Sequence, residues 1–386
     1  MTGYPTLLRI LALVSVLAAA QTAIPADPAK VPPELTLGVP ATETSFPLTG
    51  YSRIEGPLED GAVLRVGPAG KFDSAWVGSQ EIHFDGELYR MWYGGSPVLP
   101  IYSGEPSLIG LATSVDGLNW QRANGGNPVF EPGPAGAFDD AQVQSPYVLR
   151  DGNTWKMWYS GLRKPGQEPR AENWEGKIPA GWEPRLRIGL ATSRDGIHWT
   201  RENGGKPVLD LGSVGSNDDL QVMHCAILRE GDGYRMWYAA NSIGVPHTIA
   251  MATSPDGIHW TKHLDGAAVA GLSGRSTGPS VFARGDEYLM LYTNGPGTGG
   301  WHIYAAVSTD GFHWKPLNDG KPVADPGPVD PSAVGGEAGS AMHSSALLED
   351  GSSLLYWYTE NFGNGRGKYR LALGKLDFDW PEPKNP

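Results

Sequence analysis

One cysteine in 386 residues, Cys225, is the sharpest shortage in this sequence. A lone thiol cannot close an intramolecular bridge, so no disulfide framework holds the chain and its stability has to come from packing. Basic charge is short as well: 30 Lys and Arg stand against 42 Asp and Glu, a net charge of −12. That sign repels a phosphate backbone and an anionic membrane surface, which excludes nucleic acid as an expected partner. Long apolar runs are missing except for ILALVSVLAAA, residues 10–20, which is too short to span a bilayer. The run follows Arg9 and ends in the small-x-small pattern of Ala18 and Ala20. Residues 1–23 therefore read as a secretory signal peptide, with a short membrane anchor as the alternative. The expected location is secreted or periplasmic, with no membrane span. Residues 24–50, with Pro25, Pro28, Pro32, Pro33 and Pro40, read as an extended linker, and 51–386 as a single domain.

What is abundant is turn formers, 53 Gly and 33 Pro, and they punctuate a repeat. LYRMWYGG (88–95), TWKMWYSG (154–161), YRMWYAAN (234–241), YLMLYTNG (288–295) and LLYWYTEN (354–361) align without gaps. Each is followed by a second apolar strand, the first four of which end in S-x-D-G-x-x-W, and each is preceded by a strand closing on an acidic or glycine turn. The segment after the tryptophan, such as NPVFEPG, supplies a fourth strand. Four short alternating strands per unit, five times over, predict an all-β chain folded as a five-bladed β-propeller, with four antiparallel strands per blade.

In such a meander, the loop into the innermost strand and the loop joining the second and third strands emerge on one face. S-x-D-G-x-x-W falls on the other, where Asp-Gly makes the tight turn, so Asp116, Asp195, Asp256 and Asp310 read as structural. On the first face, the residue 19 positions before Trp92, Trp158 and Trp237 is Asp73, Asp139 and Asp218. Leu272 and Ala338 interrupt the series in the last two blades. Three carboxylates are thus expected at one axial pocket, the alternative being that these residues cap turns. Asp140 and Asp219, which adjoin two of them, are alternates, because neighbouring strand residues point to opposite sides. Trp76, Gln142, Gln221 and Arg275 follow at the corresponding places and are expected to bind substrate, or else to hydrogen-bond between blades.

These repeated strands, with one such acid in each of the first three blades, resemble the five-bladed β-propeller glycosidases of the arabinanase, levansucrase and invertase superfamily, most of all glycoside hydrolase family 43 and its relatives. The likeness covers residues 55 to 380. It implies a hydrolase of glycosidic bonds, arabinan-type furanosides favoured, with a polysaccharide or oligosaccharide as substrate and partner. It implies Asp73 as base or nucleophile, Asp139 (or Asp140) as modulator and Asp218 (or Asp219) as acid, although the family's third-blade acid is usually Glu. Glu337 is a further candidate proton donor. Cleavage through an oxocarbenium-like transition state needs one carboxyl protonated and another ionised, a division that clustered carboxylates produce. No cofactor is required. The family's axial histidine near a calcium-type ion implies that His343 or His224 lies near such an ion, and both are expected at the substrate site. There is no HExxH or EF-hand spacing. The loop 161–187 carries Trp174 and Trp182, and Trp301 lies on the equivalent loop of the fourth blade. These aromatic faces suit stacking on sugar rings.

Two other readings stay open. A glycan-binding propeller without catalysis fits the replacement of Glu by Asp in the third blade. A sialidase-like enzyme is suggested by the likeness of S-x-D-G-x-x-W to the Asp-box, against the blade count and the Asp-to-Gly spacing. The W-M-N-D-P-N-G and R-D-P signatures of invertases and levansucrases are absent.

Overall fold

The computed structural model describes residues 46–379 except 99–105, 165–185, 243–244, 296–300, 325–339, 350–352 and 362–368. The expected signal peptide, Trp174, Trp182, Glu337 and the side chain of His343 lie outside the described residues. Among those described, no helix is long and apolar enough to cross a membrane.

The chain opens with β1 (Leu48–Ile54) and the two-residue β2 (Leu64–Arg65). Blade 1 is β3 (Trp76–Phe84), β4 (Tyr89–Ser96), β5 (Leu108–Ser114) and β6 (Gln121–Arg122). Blade 2 is β7 (Gln142–Asp151), β8 (Thr154–Leu162), β9 (Leu186–Ser193) and β10 (Trp199–Arg201). Blade 3 is β11 (Gln221–Glu230), β12 (Gly233–Asn241), β13 (Thr248–Ser254) and β14 (Thr261–Lys262). Blade 4 is β15 (Arg275–Arg284), β16 (Glu287–Gly295), β17 (His302–Ser308) and β18 (Lys315–Pro316). Blade 5 takes β19 (Ser340–Glu349), β20 (Ser353–Asn361) and β21 (Tyr369–Phe378) from the end of the chain and β1 from its start. The fold is a five-bladed β-propeller of antiparallel four-strand sheets, as the repeat predicts.

Two expectations are corrected in detail. The linker does not run to residue 50: Phe46 is fully buried and strand pairing with β21 begins at Leu48. The fourth strand is also not NPVFEPG itself. It is the pair of residues directly after the tryptophan, and Phe130 adds only a single bridge to Ile109. Proline at the start of NPVFEPG removes a ladder donor, which limits pairing there.

Alternation along the second strand of each blade sends successive aromatics to opposite faces. Trp92, Trp158, Trp237 and Trp357 are completely buried, and each indole Nε1–H leaves its own blade. Trp92 donates to the Gly196 carbonyl (2.9 Å), Trp158 to Gly257 (2.9 Å), Trp237 to Gly311 (2.7 Å) and Trp357 to Gly117 (2.9 Å). These acceptors are the glycines of S-x-D-G-x-x-W in the next blade round the ring. In the hairpin itself the serine hydroxyl accepts the glycine N–H, the aspartate caps the two following N–H groups, and the hairpin's own tryptophan donates to the same glycine carbonyl. The motif is therefore structural. At the seam between blades 4 and 5, Leu291 stands where the other blades have tryptophan, and blade 5 has β1 in place of the hairpin. That seam is filled by apolar side chains instead, among them Phe46, Leu291, Ile303, Leu354 and Tyr356.

The glycine is required twice over. Gly257 has φ +82°, and a Cβ there would sit 2.8 Å from the Trp158 ring. Gly152, in the turn before β8, has φ +57° with nothing within 4 Å of where a methyl group would stand. Gly257→Ala is expected to cost about 1–3 kcal/mol more than Gly152→Ala in urea unfolding, because both bear the left-handed backbone and only the first meets the indole. Equal costs would remove the clasp from the account.

A half-buried imidazole makes stability depend on pH. His83 packs edge-on against Trp155 at 4.7 Å, and its pKa is pushed down to about 4, first by burial and then by the charge of Arg90. An unfolded histidine titrates near 6.5. Between pH 6.5 and 4 the unfolded chain takes up a proton that the folded chain refuses, so stability falls as pH falls through this window. His83→Gln is expected to flatten the slope of unfolding free energy against pH there, by on the order of 2–3 kcal/mol across the window.

Candidate functional site

The three aspartates of the first three blades are found in equivalent places, and those places are not the axis. Asp73 is fully buried. Its Oδ2 accepts the Tyr93 hydroxyl (3.0 Å) and Arg122 Nε (2.7 Å), the latter from the outermost strand of its own blade. Asp139 is held in the same way by Tyr159 (2.9 Å) and Arg201 (2.8 Å). Asp218 is held by Tyr238 (2.9 Å) and Lys262 (2.6 Å), and receives the Ser216 hydroxyl as well. Each carboxylate packs on a glycine of its loop, Gly67, Gly133 or Gly212, where a Cβ would collide with Oδ1.

These are tyrosine–carboxylate–cation clasps between the second and fourth strands of single blades, so the expectation that Asp73, Asp139 and Asp218 converge at one axial pocket is corrected. The register reading failed because it counted along the chain. The cation that captures each acid comes from 44 to 62 residues further on, at Arg122, Arg201 and Lys262. Blade 5 builds the same clasp from other parts: Glu360 accepts Tyr358 (3.1 Å), Arg370 (2.5 Å) and Arg53 (3.1 Å). Blade 4, with Leu272 in place of the acid, stacks Tyr292 on Tyr304 instead. Asp140 and Asp219 secure the loops around them: Asp140 accepts the N–H of Gly136 and of Lys164, and Asp219 that of Gly215.

The axis is lined by a different set. Midway along each innermost strand the ladder slips by a bulge, between Gly78 and Glu81, Gln144 and Tyr147, Met223 and Ala226, Thr277 and Ser280, and Met342 and Ser345. In blades 1 to 4 the first bulge residue is left-handed: Ser79 (φ 49°), Ser145 (52°), His224 (47°) and Gly278 (55°). For the three that carry a side chain, this conformation costs on the order of 1 kcal/mol or more, and such strain gathers at working sites. The bulges enclose a cavity of about 30 Å³, lined by Ser79, Gln80, Glu81, Ser145, Pro146, Tyr147, His224, Cys225, Gly278 and Pro279. That holds one or two waters, not a sugar ring.

Glu81 is the acid of this lining. Its charge reaches across blades and adds to burial in pushing up both the Tyr147 hydroxyl and the Cys225 thiol. Cys225 is thus a protonated thiol and a poor nucleophile. The Ser145 hydroxyl is buried without a hydrogen-bond partner among the described residues. The bulges are tied to the neighbouring blade, His224 N–H donating to Ser160 Oγ (3.1 Å) and Ser79 N–H to Thr359 Oγ1 (3.3 Å).

Above this cavity, the first residues of the four innermost strands form a second ring. Trp76, Gln142, Gln221 and Arg275 are register equivalents, paired with Ser96, Leu162, Asn241 and Gly295. Trp76 and Gln142 are buried, and Gln221 and Arg275 half-buried. Arg275 lies over the Trp301 ring at 5.5 Å. Of the residues expected at the site, the structure brings these five and His224 to the axial region. Sequence reasoning missed Glu81 and Ser145. Their signal was present, since Ser79, Ser145, His224 and Gly278 stand at one distance before the second-strand Trp92, Trp158, Trp237 and Leu291.

Among the described residues no group of three or more His, Cys, Asp or Glu is placed to hold a metal ion. A calcium-type ion takes six to eight oxygen ligands, of which the described part of the cavity lining offers one carboxylate, that of Glu81.

No protein-family model matches the chain. It is 25% identical over 243 residues to the uncharacterised proteins MT1551 and Rv1502 of Mycobacterium tuberculosis, covering 60% of this chain and 73% of theirs. A shorter stretch of 64 residues is 39% identical to an A type blood N-acetyl-α-D-galactosamine deacetylase of Flavonifractor plautii, 15% of this chain and 8% of that protein. Among solved structures, BT0996 in its RGII complex superposes with TM-score 0.61 at 16% identity, over 86% of this chain and 93% of the other. A β-1,2-mannobiose phosphorylase from Listeria innocua gives 0.58 at 14%, over 85% and 97%. What is shared is the fold.

The clasps give a test. Asp73→Asn keeps an amide oxygen but removes the buried negative charge that offsets Arg122, and is expected to cost about 3–5 kcal/mol of stability, measured by denaturant unfolding. Asp116→Asn, on an exposed hairpin, is expected to cost far less. An Asp73→Asn protein as stable as wild type would return Asp73 to the set of acids held for chemistry.

Proposed function

We propose that this protein is an exported glycan-acting enzyme that hydrolyses glycosidic bonds of a polysaccharide, with arabinan-type furanosides as the first candidate substrates. The observation that carries the reading is the pair of stacked axial rings. The upper one presents an indole, two amides and a guanidinium, which suit the faces and hydroxyls of a sugar. The lower one holds Glu81, His224 and Ser145 in a strained, rigid seat beneath it. A saccharide too large for the lower cavity rests on the upper ring and brings one linkage to the cavity's rim. Glu81 then takes the part first expected of Asp73, that of the axial carboxyl acting on the scissile bond, and Asp219, which holds its loop through Oδ2 while its Oδ1 is buried without a partner among the described residues, is the candidate for the second carboxyl that the chemistry needs. Similarity in fold to BT0996, solved with RGII, and to a β-1,2-mannobiose phosphorylase supports the reading.

A second reading is removal of an acyl group from an acetylated sugar. It is favoured by the short match to the galactosamine deacetylase and by a cavity lining with one carboxylate beside a histidine in place of a carboxylate pair.

One screen separates these. The mature protein and Glu81→Gln are incubated with arabinan, β-1,2-mannan and acetylated N-acetylgalactosaminides, with and without inorganic phosphate, and the products are resolved by chromatography. Release of sugars, lost at least a hundredfold in Glu81→Gln, is the expected result. Sugar phosphates formed only with phosphate would make it a phosphorylase, and acetate without sugar a deacetylase. Saturable glycan binding with no product would leave a binding propeller.

A further inference from the structure

Arginines in this structure are mostly committed: Arg122, Arg201, Arg370 and Arg53 each meet a buried or half-buried carboxylate. Arg275 does not. It begins the innermost strand of blade 4, at the mouth of the axial site, and has no carboxylate within ion-pair distance among the described residues, although the chain carries an excess of 12 acidic groups. Its guanidinium lies over the Trp301 ring at 5.5 Å, a stacking that fixes the plane and leaves the N–H edges available. The adjoining strand residue is fastened to the neighbouring blade, Ser276 N–H donating to the His247 carbonyl at 2.9 Å. His247 stands next to it with its Nδ1 buried and without a partner among the described residues. Burial and the charge of Arg275 push the His247 pKa down to about 4, so at neutral pH the imidazole is uncharged and Arg275 is the cation of the pair. The equivalent positions of blades 1 to 3, Trp76, Gln142 and Gln221, are neutral, so among the described residues of this ring Arg275 is the charged member.

We propose that Arg275, stacked on Trp301 and flanked by His247, is a subsite for the carboxylate of a uronate residue, so that the saccharide taken at the axial mouth is an acidic one. This rests on the glycan-acting reading above and names its substrate class. A planar carboxylate accepts two parallel N–H bonds from a guanidinium fork, and the rigid aromatic backing means little side-chain freedom is lost on binding. Hydroxyl groups make single, weaker bonds there. His247, uncharged, offers a ring nitrogen to a neighbouring hydroxyl of the same sugar.

The test uses trigalacturonate and its methyl-esterified form, which share one sugar frame and differ in charge, with calorimetry on wild type, Arg275→Gln and Arg275→Lys. Wild type is expected to bind the acid at least tenfold more tightly than the ester, about 1.4 kcal/mol, with the preference shrinking as salt is added. Arg275→Gln should bind the two alike, and Arg275→Lys, which keeps the charge but not the fork, should recover part of the difference. Equal binding of acid and ester by wild type, or an undiminished preference in Arg275→Gln, overturns the subsite. Failure to bind either probe, while neutral glycans are bound or cleaved, overturns the subsite and leaves the glycan-acting reading standing. Failure with every glycan, neutral and acidic, removes both.

Discussion

The hydrogen bond from an indole of one blade to a glycine carbonyl of the next holds this ring in shape. It reconciles two needs that compete in a propeller: each blade must bury a large apolar face, and the hairpin at its rim must satisfy its own turn. The tryptophan supplies a large, completely buried ring with a single donor on an otherwise apolar side chain, and the donor finds a carbonyl of the neighbouring turn. Each bond is worth about 1 kcal/mol net, but its direction fixes the angle between neighbouring blades. The glycine cannot be replaced without moving the indole, so the turn and the core of the adjacent blade are specified together.

The carboxylates follow the same economy of reuse. Where blades 1 to 3 bring an aspartate from the incoming loop, blade 5 brings Glu360 from its second strand, Arg370 from its third and Arg53 from β1 at its outer edge. The same local chemistry is reached by different residues, as expected when the constraint is a buried tyrosine hydroxyl and a cation that need one acceptor. The axis is freed from that task. Its residues are selected by a bulge that turns the backbone left-handed, which suits glycine best and is nonetheless occupied by Ser79, Ser145 and His224.

The architecture was legible in the sequence because a propeller repeats: five aligned MWY-type strands and four S-x-D-G-x-x-W hairpins fix strand order, blade number and the structural face. The site was legible only in part. Register placed Trp76, Gln142, Gln221 and Arg275 at equivalent strand positions, since register counts from a strand that the alignment locates. The three aspartates were misplaced, since a loop residue's direction is set by the partner that captures it, and Arg122, Arg201 and Lys262 belong to strands too short to show in a pattern. Glu81 was missed because a bulge breaks the period of two by which inward and outward residues are told apart.

Blade 5 is assembled from both ends of the chain, β1 lying along β21 with about 320 residues between them. The circle therefore cannot close during synthesis until the last strand has been made, and the first strand must wait, unpaired, for the whole of that time. The seam between blades 4 and 5, which has packing in place of an indole clasp, is completed last. Until then the first strand presents an open edge, and a factor that shields extended chains would act most usefully on the stretch around Phe46 and Leu48.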